Sequence, residues 1–403
     1  MINSGDTAWV LISFALVILM TPALGFFYGG MVRKKNILST LMLSVALLVL
    51  ISVQWVLFGY SLAFGPDKGG LIGSLGWFGL NNIPAIEAGY APTIPHMAFI
   101  LFQLAFAVIT PALISGAFVE RISFAGFLLF TLVWSTFVYA PVAHWIWGIG
   151  GWLRTMGALD FAGGAVVHIT AGVSALALAL VVGKRKGYGK VPMEPSNIPL
   201  TVLGAFLLWF GWFGFNGGSA LSAGPLAAST IMATNTAGAA AGLTWMIISW
   251  VHKRPSVLGL ATGAIVGLAA VTPASGYVSP LSAMVIGSVA AILSYYMIIF
   301  RMKIKFDESL DVFACHGVGG IWGVLATGLF AQKAINPAGA NGLFFGNPGQ
   351  LGIQALTALV VVVFSFVVSY IMAKIIDAMF KLRVGENEED VGLDISQHGE
   401  SAY

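Results

Sequence analysis

Long stretches of this chain carry no charged residue, and they set the pattern of hydrophobic and polar positions. The charge-free intervals are 7–32, 36–66, 88–119, 122–153, 161–183, 195–252, 255–300 and 312–332, followed by a last apolar stretch from 348 onward. A helix that crosses a bilayer needs about 20 apolar residues. Two intervals, 195–252 and 255–300, are long enough for two such helices each, split near 216–225 and near 272–280. The pattern therefore predicts eleven membrane-spanning helices.

The composition agrees with this prediction. Of the 403 residues, 58% are hydrophobic and 9% are charged, whereas soluble domains carry about 25% charged residues. The mean hydropathy is +0.91. A soluble enzyme, a disordered protein and a nucleic-acid-binding protein are excluded, and a net charge of +3 is too small to indicate a polyanionic partner. We predict an all-α polytopic membrane protein, in which the single cysteine, Cys315, cannot form an intrachain disulfide.

Lysine and arginine are distributed unevenly between the predicted loops. When the loops are numbered from the N-terminus, the odd-numbered loops and the C-terminal segment hold 15 of these residues, and the even-numbered loops hold 3. Positive residues accumulate on the cytoplasmic side of membrane proteins, so we predict an N-terminus outside and a C-terminus in the cytoplasm. The start of the chain lacks the basic region of a cleavable signal peptide, and we expect the first apolar segment to remain as a helix.

The charge pattern also divides the chain into two parts. Residues 1–384 form the predicted transmembrane part, and residues 385–403 form a polar, acidic cytoplasmic tail. Within the transmembrane part, spans one to five occupy about 7–183, spans six to ten about 197–332, and span eleven about 348–382.

Local motifs in spans one to five recur in spans six to ten. FFYGG at 26–30 matches GFNGG at 214–218, and ITPA at 109–112 matches VTPA at 271–274. Because five spans is an odd number, the second copy must be inverted in the membrane, as it is in many transporters. We therefore predict an inverted five-plus-five repeat, with the eleventh helix as a brace around it.

Two histidines also occupy matching places in the repeat, His168 in span five and His316 in span ten. Polar groups at membrane depth are costly, so both need an explanation. The repeat would bring the two imidazoles together, where they could share a proton and offer their outer nitrogens to a small guest. Two other interpretations stay open: each histidine could tie two helices together by a hydrogen bond, or the pair could ligate haem.

Acidic residues lie near the ends of the same spans. Asp160 lies eight residues before the first histidine and Asp311 five residues before the second, and we expect the two to be counterparts. Each carboxylate could cap its helix, and Asp160 could also favour a cation that arrives from outside. Glu120 and Arg121, at the inner end of span three, are expected to form a structural pair.

Seven motifs give the chain a specific resemblance. They are FYGGMVRKKN at 27–36, FQLAFAVIT at 102–110, PVAHWIWGIG at 141–150, DFAGGAVVH at 160–168, WFGWFGFNGGSA at 209–220, DVFACHGVGGIWG at 311–323 and GLDISQHGE at 392–400. With these motifs the chain resembles the ammonium transporter family over essentially its whole length. Within the superfamily that also includes the Rhesus proteins, it is similar to the bacterial and archaeal transporter branch.

The resemblance implies roles for individual residues. It implies an outer recruitment site for ammonium, a stacked aromatic pair that closes the pore mouth, twin histidines in a narrow pore, an apolar pore lining and an ordered regulatory tail. The implied sets are Phe106, Trp147, Ser219 and Asp160 for recruitment, Phe106 and Phe215 for the gate, His168 and His316 for the twin histidines, Leu24, Tyr28, Leu208, Trp212 and Val312 for the pore lining, and Gly392, Asp394, His398 and Glu400 for the tail.

The resemblance also implies a function. It implies a transporter or channel for nitrogen uptake rather than an enzyme, in the plasma membrane, as a homotrimer with one pore per subunit. Ammonium would be deprotonated and conducted as ammonia, and the residues leave open whether the proton crosses separately, which would make transport electrogenic. Methylammonium is the expected substrate analogue and a PII-type nitrogen regulatory protein the expected cytoplasmic partner; no cofactor, metal or nucleic acid is expected. The alternative is an ammonium receptor that signals through its tail with little flux.

Overall fold

The computed structural model describes residues 1–403 and is almost entirely helical. Each predicted span corresponds to one helix. The eleven helices are α1 (Ser4–Met31), α2 (Lys34–Phe64), α3 (His96–Ala117), α4 (Phe124–Thr155), α5 (Gly164–Val182), α6 (Ile198–Ala220), α7 (Pro225–His252), α8 (Val257–Val271), α9 (Pro280–Lys303), α10 (Phe313–Phe330) and α11 (Pro348–Phe380). A hairpin of β1 (Asp67–Lys68) and β2 (Ile72–Gly73) follows α2, and a short helix α12 (Glu386–Val391) lies in the C-terminal tail.

Ten of the helices are long and apolar enough to cross a membrane. Helix α8 is apolar but has 15 residues, which is about 22 Å of helix against a hydrocarbon core of about 30 Å. Large apolar side chains such as Phe210, Val251 and Met379 are exposed on the outside of the bundle by 53%, 80% and 68%, as expected of a surface that faces lipid rather than water. The predicted multi-pass membrane architecture is therefore confirmed.

The local sequence explains where several helices begin. Proline opens α7, α9 and α11, at a position where its fixed φ suits the helix and its missing N–H is not needed. Ser256 caps α8 by accepting the N–H of Gly259 at 3.0 Å. Inside a bilayer no water is available, so every backbone N–H and C=O group must be hydrogen-bonded within the protein. A helix provides these bonds along a continuous apolar stretch.

Helices from the two halves of the chain meet at the centre of the bundle. Helix α1 runs along α6, and α5 contacts the start of α10. Gly172 of α5 faces Gly317 of α10 so closely that a Cβ at Gly172 would collide with the backbone of Gly317. Because these two backbones touch, His168, one turn before Gly172, can reach His316. Each histidine lies in a wider π-helical turn, at Gly164–Ile169 and Phe313–Val318, a feature often found at functional sites.

The bundle has two ends, which we name by what lies there. The main part of α4 ends at Trp147, next to the start of α5, and this end is the Trp147 side. Helix α5 finishes at Val182, whose carbonyl accepts a hydrogen bond from Arg383, just before the C-terminal tail. That opposite end is the tail side.

Candidate functional site

A cavity of ≈ 480 Å³ lies on the Trp147 side, next to the start of α5. The four predicted recruitment residues, Phe106, Trp147, Asp160 and Ser219, all line it. The Trp147 ring meets the Phe106 ring edge-on, with centroids 5.9 Å apart and planes at 88°. The Ser219 hydroxyl donates to the Phe215 carbonyl at 2.9 Å, so its oxygen lone pairs stay free to accept. An aromatic surface and a hydroxyl acceptor therefore surround one space.

Asp160 connects this cavity to the start of α5. Its carboxylate accepts hydrogen bonds from the backbone N–H groups of residues 163–166, at 2.9, 2.6, 2.8 and 3.0 Å. Gly163 has φ +112°, a conformation that favours glycine and that turns the chain into the helix. Burial disfavours an ionised Asp160, and the four N–H donors act in the opposite direction by stabilising the carboxylate. The Asp160 carbonyl also accepts the Trp147 indole N–H at 2.8 Å, so this residue orients both α5 and the tryptophan.

Phe106 lines the cavity and packs against Phe215, which lines the next space along the bundle. The rings of Phe106 and Phe215 have centroids 4.3 Å apart and are tilted by 44°. They are in contact but not parallel, whereas the family resemblance implied a stacked pair. Each is 1% exposed. On its far side Phe215 stacks on the His168 ring, with centroids 5.9 Å apart and planes at 16°. The pair therefore separates the cavity from the histidine rings.

His168 and His316 face each other beyond the aromatic pair, with their Nδ1 atoms 3.2 Å apart. One Nδ1 must donate and the other accept, so a neutral pair holds a single proton between its facing nitrogens. The constriction that both rings line has a volume of ≈ 10 Å³, about the space of one water molecule. The Nε2 atom of His168 is buried without a hydrogen-bond partner. That nitrogen is therefore free to interact with a small guest.

The five predicted pore-lining residues fall into two groups. Leu24, Leu208 and Trp212 line the constriction with the two histidines. Tyr28 and Val312 line a separate cavity of ≈ 340 Å³ on the tail side. The His316 side chain borders both spaces, so the three spaces follow one another along the bundle from the Trp147 side, past the histidines, to the tail side.

A protein-family model described as Ammonium Transporter Family matches residues 8–403. The chain belongs to the ammonium transporter family. Ammonium transporter Amt1 of Archaeoglobus fulgidus is 48% identical over 401 residues, which is 100% of each chain. The ammonium transporter of Bacillus subtilis is 48% identical over 402 residues, covering 99% of this chain and 98% of that one.

Solved structures show the same fold. Mep2 of Saccharomyces cerevisiae aligns with a TM-score of 0.90 at 34% identity, covering 96% of this chain and 88% of Mep2. A protein described as a sensor Amt protein aligns with a TM-score of 0.89 at 32% identity, covering 98% of each chain. The family assignment made from the motifs is therefore confirmed, and this member of the ammonium transporter family is a multi-pass membrane transporter and not an enzyme.

In this ammonium transporter family member the counterpart of Asp160 is Glu308 and not Asp311. Glu308 lies eight residues before its histidine, as Asp160 does, and its carboxylate accepts the Phe313 N–H at the start of α10 at 3.2 Å. Asp311 instead pairs with Arg301, with Nε and Oδ1 2.6 Å apart. The prediction for Asp311 is wrong because an acid eight residues before the histidine, rather than five, has its carboxylate just ahead of the first turn of the helix. Burial, reinforced by Asp311, raises the pKa of Glu308 to about 8.

Glu120 and Arg121 do not pair with each other, so that prediction is also wrong. The Glu120 carboxylate bridges Arg33 and Arg185, at 2.9 Å in both cases, while Arg121 donates to backbone carbonyls, including that of Gly183 at 2.7 Å. Side chains of consecutive residues point in different directions, and here they meet different loops. Burial opposes ionisation of Glu120, but Arg185 and Arg33 outweigh it and lower the pKa of this carboxyl.

The predicted tail residues lie against the tail side of the bundle. The Asp394 carboxylate accepts the backbone N–H groups of Leu38 and Ser39, near the start of α2, at 3.1 and 2.7 Å. The His398 ring meets Phe124 with centroids 5.0 Å apart. Gly392 has φ +104°, where glycine is favoured, and Glu400 is held by its backbone N–H, which donates to the Asp394 carbonyl at 3.2 Å. The tail is thus ordered against its own subunit.

Three glutamines on the Trp147 side were not among the predicted site residues. Gln103 lines the ≈ 480 Å³ cavity, and its side-chain oxygen is buried without a partner. Gln350 and Gln354 of α11 are 2% and 0% exposed and bond to the loop before Asp160. The signal in the sequence that could have indicated these glutamines was their polarity, because a polar side chain inside an apolar membrane segment is costly.

Proposed function

We propose that this chain transports ammonium by recruiting NH4+ on the Trp147 side, removing one proton, and conducting NH3 past the twin histidines. The observation that best supports this is the order of spaces along the path. A cavity of ≈ 480 Å³ is followed by a closed aromatic pair and then by a constriction of ≈ 10 Å³ that no charged side chain lines. Such a path suits a small neutral molecule.

The free energies favour deprotonation over passage of the intact ion. Moving a small cation into a medium of low dielectric constant costs on the order of tens of kcal/mol in the ideal case. The pKa of ammonium lies about two units above neutral pH, so losing the proton costs roughly 3 kcal/mol at pH 7. Potassium is nearly the same size but has no proton to lose. Deprotonation would therefore select ammonium over potassium.

Recruitment uses contacts that concentrate the cation without trapping it. The faces of Trp147 and Phe106 would attract ammonium by cation–π interaction, worth about 1–2 kcal/mol when partly desolvated. The Ser219 oxygen and the unpaired Gln103 oxygen are acceptors for its N–H groups. Asp160, whose carboxylate caps α5 behind the cavity, adds a favourable negative potential without needing to touch the ion.

The histidine pair would handle the proton and guide the neutral guest. Because His168 and His316 share one Nδ1 proton, a proton added at one outer nitrogen can be released at the other after the shared proton shifts. If the proton crosses the membrane in this way, transport carries net charge. If the proton returns to the Trp147 side, the chain acts as a channel for ammonia gas.

We further propose a topology with the Trp147 side outside and the tail side in the cytoplasm of the cell. Eleven spans would include the short α8, with α1–α5 and α6–α10 as inverted repeats and α11 as a brace. The 15 to 3 distribution of positive residues, the contact of α1 with α6, and the contacts of α11 with both α5 and α10 support this arrangement. In this division residues 1–384 form the transporter and residues 385–403 the cytoplasmic tail.

The proposed assembly is a homotrimer in the plasma membrane whose tail side binds a PII-type regulatory protein. The ordered tail supports a docking role, since Asp394 fixes it to the start of α2. Deleting 392–403 should reduce capture of a PII-type protein by the purified transporter, and undiminished capture would contradict this. The receptor alternative is not favoured, because the curated relatives are named as transporters.

The decisive experiment compares ammonium with potassium in liposomes that contain the purified protein. Ammonium should produce flux, measured as a current or as a change of internal pH, and potassium should produce none. Comparable potassium flux would contradict passage of a neutral molecule. The same recording distinguishes the two proton pathways, because net current appears only if the proton crosses.

A further inference from the structure

Two buried glutamines of α11 hold the loop that leads to Asp160. The Gln354 side-chain oxygen accepts the Leu159 N–H at 2.8 Å, and its NH2 group donates to the Leu159 carbonyl at 2.7 Å. Gln350, one turn earlier, donates to the Gly157 carbonyl at 3.0 Å and to the Gln354 oxygen at 3.3 Å. Gln350 and Gln354 together form what we name the glutamine clamp. It grips the loop from the helix that has no partner in the repeat.

The clamped loop forms one wall of the recruitment cavity. Gly157, Leu159 and Asp160 all line this cavity. Asp160, directly after Leu159, uses its carboxylate to begin α5 and its carbonyl to accept the Trp147 indole N–H at 2.8 Å. A shift of the Leu159 peptide would therefore move both the tryptophan face and the acceptor that orients it.

Backbone bonds hold the loop on either side of Leu159. The Ala158 N–H donates to the Leu153 carbonyl at 3.0 Å and the Phe161 N–H donates to the Pro273 carbonyl at 3.1 Å, whereas both peptide groups of Leu159 bond to the Gln354 amide. The Leu159 N–H and carbonyl are buried, and a buried peptide group without a partner costs about 1–3 kcal/mol. Without the Gln354 amide, the peptide would have to rotate or move to find other partners.

We propose that the glutamine clamp is a positioning element for the ammonium recruitment site, with Gln354 as the principal residue. This inference rests on the proposed role of Trp147 and Asp160 in recruitment. A purely structural clamp would affect the amount of folded protein and the maximum rate. A positioning clamp changes the ammonium concentration at which transport is half-maximal, because it sets the geometry of the binding surface.

The test uses full-length protein in liposomes and measures initial ammonium current against concentration. Gln354→Met keeps the side-chain volume but removes both bonds to Leu159. The half-maximal concentration should rise roughly three- to tenfold, the factor that about one hydrogen bond contributes, while the maximum current changes by less than about twofold. An unchanged half-maximal concentration, or a loss of maximum current alone, overturns the proposal.

Two further variants separate geometry from general damage. The carboxyl group of Gln354→Glu can accept the Leu159 N–H and, when it is protonated, donate to the Leu159 carbonyl. At about pH 5.5 a buried carboxyl keeps its proton. At this pH the half-maximal concentration of the variant should therefore lie within about twofold of the wild-type value. Ser369→Ala is the matched control on the same helix. It removes bonds to Ser174 and Trp134, at 2.8 and 3.1 Å, away from the recruitment cavity, and should leave the half-maximal concentration unchanged.

Trp147→Leu in the same assay distinguishes failure of this inference from failure of the proposed function. If Trp147→Leu raises the half-maximal concentration and Gln354→Met does not, the clamp is overturned and recruitment at Trp147 stands. If Trp147→Leu has no effect, the recruitment proposal itself fails, and the clamp fails with it. If Gln354→Met does not fold, Gln350→Met tests the proposal instead, because it removes only the bonds of Gln350 to Gly157 and Gln354. A raised half-maximal concentration in this variant supports the clamp, and an unchanged one overturns it.

Discussion

Helices α5 and α10 begin with the same device on opposite sides of the bundle. Each is preceded by a buried acid eight residues before its histidine, Asp160 for His168 and Glu308 for His316. Each acid accepts at least one backbone N–H at the start of a π-helical turn. The surroundings differ. Asp160 receives four N–H donors, whereas the N–H donated to Glu308 is shared between its two oxygens at 3.2 and 3.3 Å.

The difference determines where negative charge resides. Four N–H donors stabilise an ionised Asp160 on the side where the proposal needs to attract a cation. Burial and the neighbouring Asp311 raise the pKa of Glu308 to about 8, which favours the neutral form of this acid. One structural frame therefore serves two electrostatic purposes. On the Trp147 side the cap is a carboxylate that four N–H donors stabilise, and on the tail side it is an acid whose burial favours the neutral form.

Exchanging each acid for its amide should separate the two sides most strongly. In Asp160→Asn one carboxylate oxygen becomes an NH2 group, so about two of the four N–H donors lose their acceptor, at about 1–3 kcal/mol each. Uptake of methylammonium at low concentration should fall roughly a hundredfold. Glu308→Gln replaces a neutral acid with a neutral amide of the same shape and should keep uptake within about twofold. Similar losses in both variants, compared at equal amounts of folded protein, would mean that the two acids act alike.

The histidines lie between the two sides and should affect the proton more than the binding of ammonium. His168→Asn or His316→Asn retains a polar group but cannot relay a proton, so ammonium-induced current should fall by at least about tenfold. The half-maximal concentration should change by less than about twofold, because recruitment occurs before the aromatic pair. His96→Asn is the control, since this buried histidine bonds to Tyr60 away from the pore. Wild-type currents in both pore variants would remove the relay from the mechanism.

Aromatic residues give a second comparison between the sides. Trp147 lines the recruitment cavity and Trp245 lines the tail-side cavity. Losing about 1–2 kcal/mol of cation–π attraction in Trp147→Leu should raise the half-maximal concentration for uptake roughly tenfold. Trp245→Leu should leave it unchanged, because in the proposed mechanism the guest passes that cavity as ammonia. A matching increase in Trp245→Leu, measured by uptake into cells, would indicate that the cation itself reaches the tail side.

The sequence predicted the parts of this molecule that depend on local signals. Charge-free stretches locate the helices, because an apolar segment in a bilayer has few other ways to satisfy its backbone. The motif residues Phe106, Trp147, Asp160 and Ser219 were assigned to one site, and they line one cavity. Short motifs predict helix starts and turns because these features are formed by residues that are neighbours in the sequence.

Partners that are distant in the sequence could not be predicted in this way. Gln354 bonds to a residue 195 positions away, and nothing in either segment specifies the other. Glu120 was assigned to its neighbour Arg121, but it bonds to Arg185, 65 positions away. Glu308 is the exception, because its spacing of eight from His316 equals that of Asp160 from His168. A comparison of spacings, rather than of residue types, would have identified it.

The smallest effect is expected in stability, and it tests the neutral cap directly. The pKa of Glu308 in the folded protein, about 8, lies above its ordinary value of 4.5, so between these values the folded chain keeps a proton that the unfolded chain loses. This contribution to stability is complete below about pH 4.5 and is lost as the pH rises through about 8. The thermal midpoint of the wild type should therefore fall relative to that of Glu308→Gln between about pH 5 and pH 8, by about one to two degrees per pH unit, and then level off. Midpoints that run parallel across this range would mean that Glu308 is already ionised, and the charge difference between the two ends of the pore would then disappear.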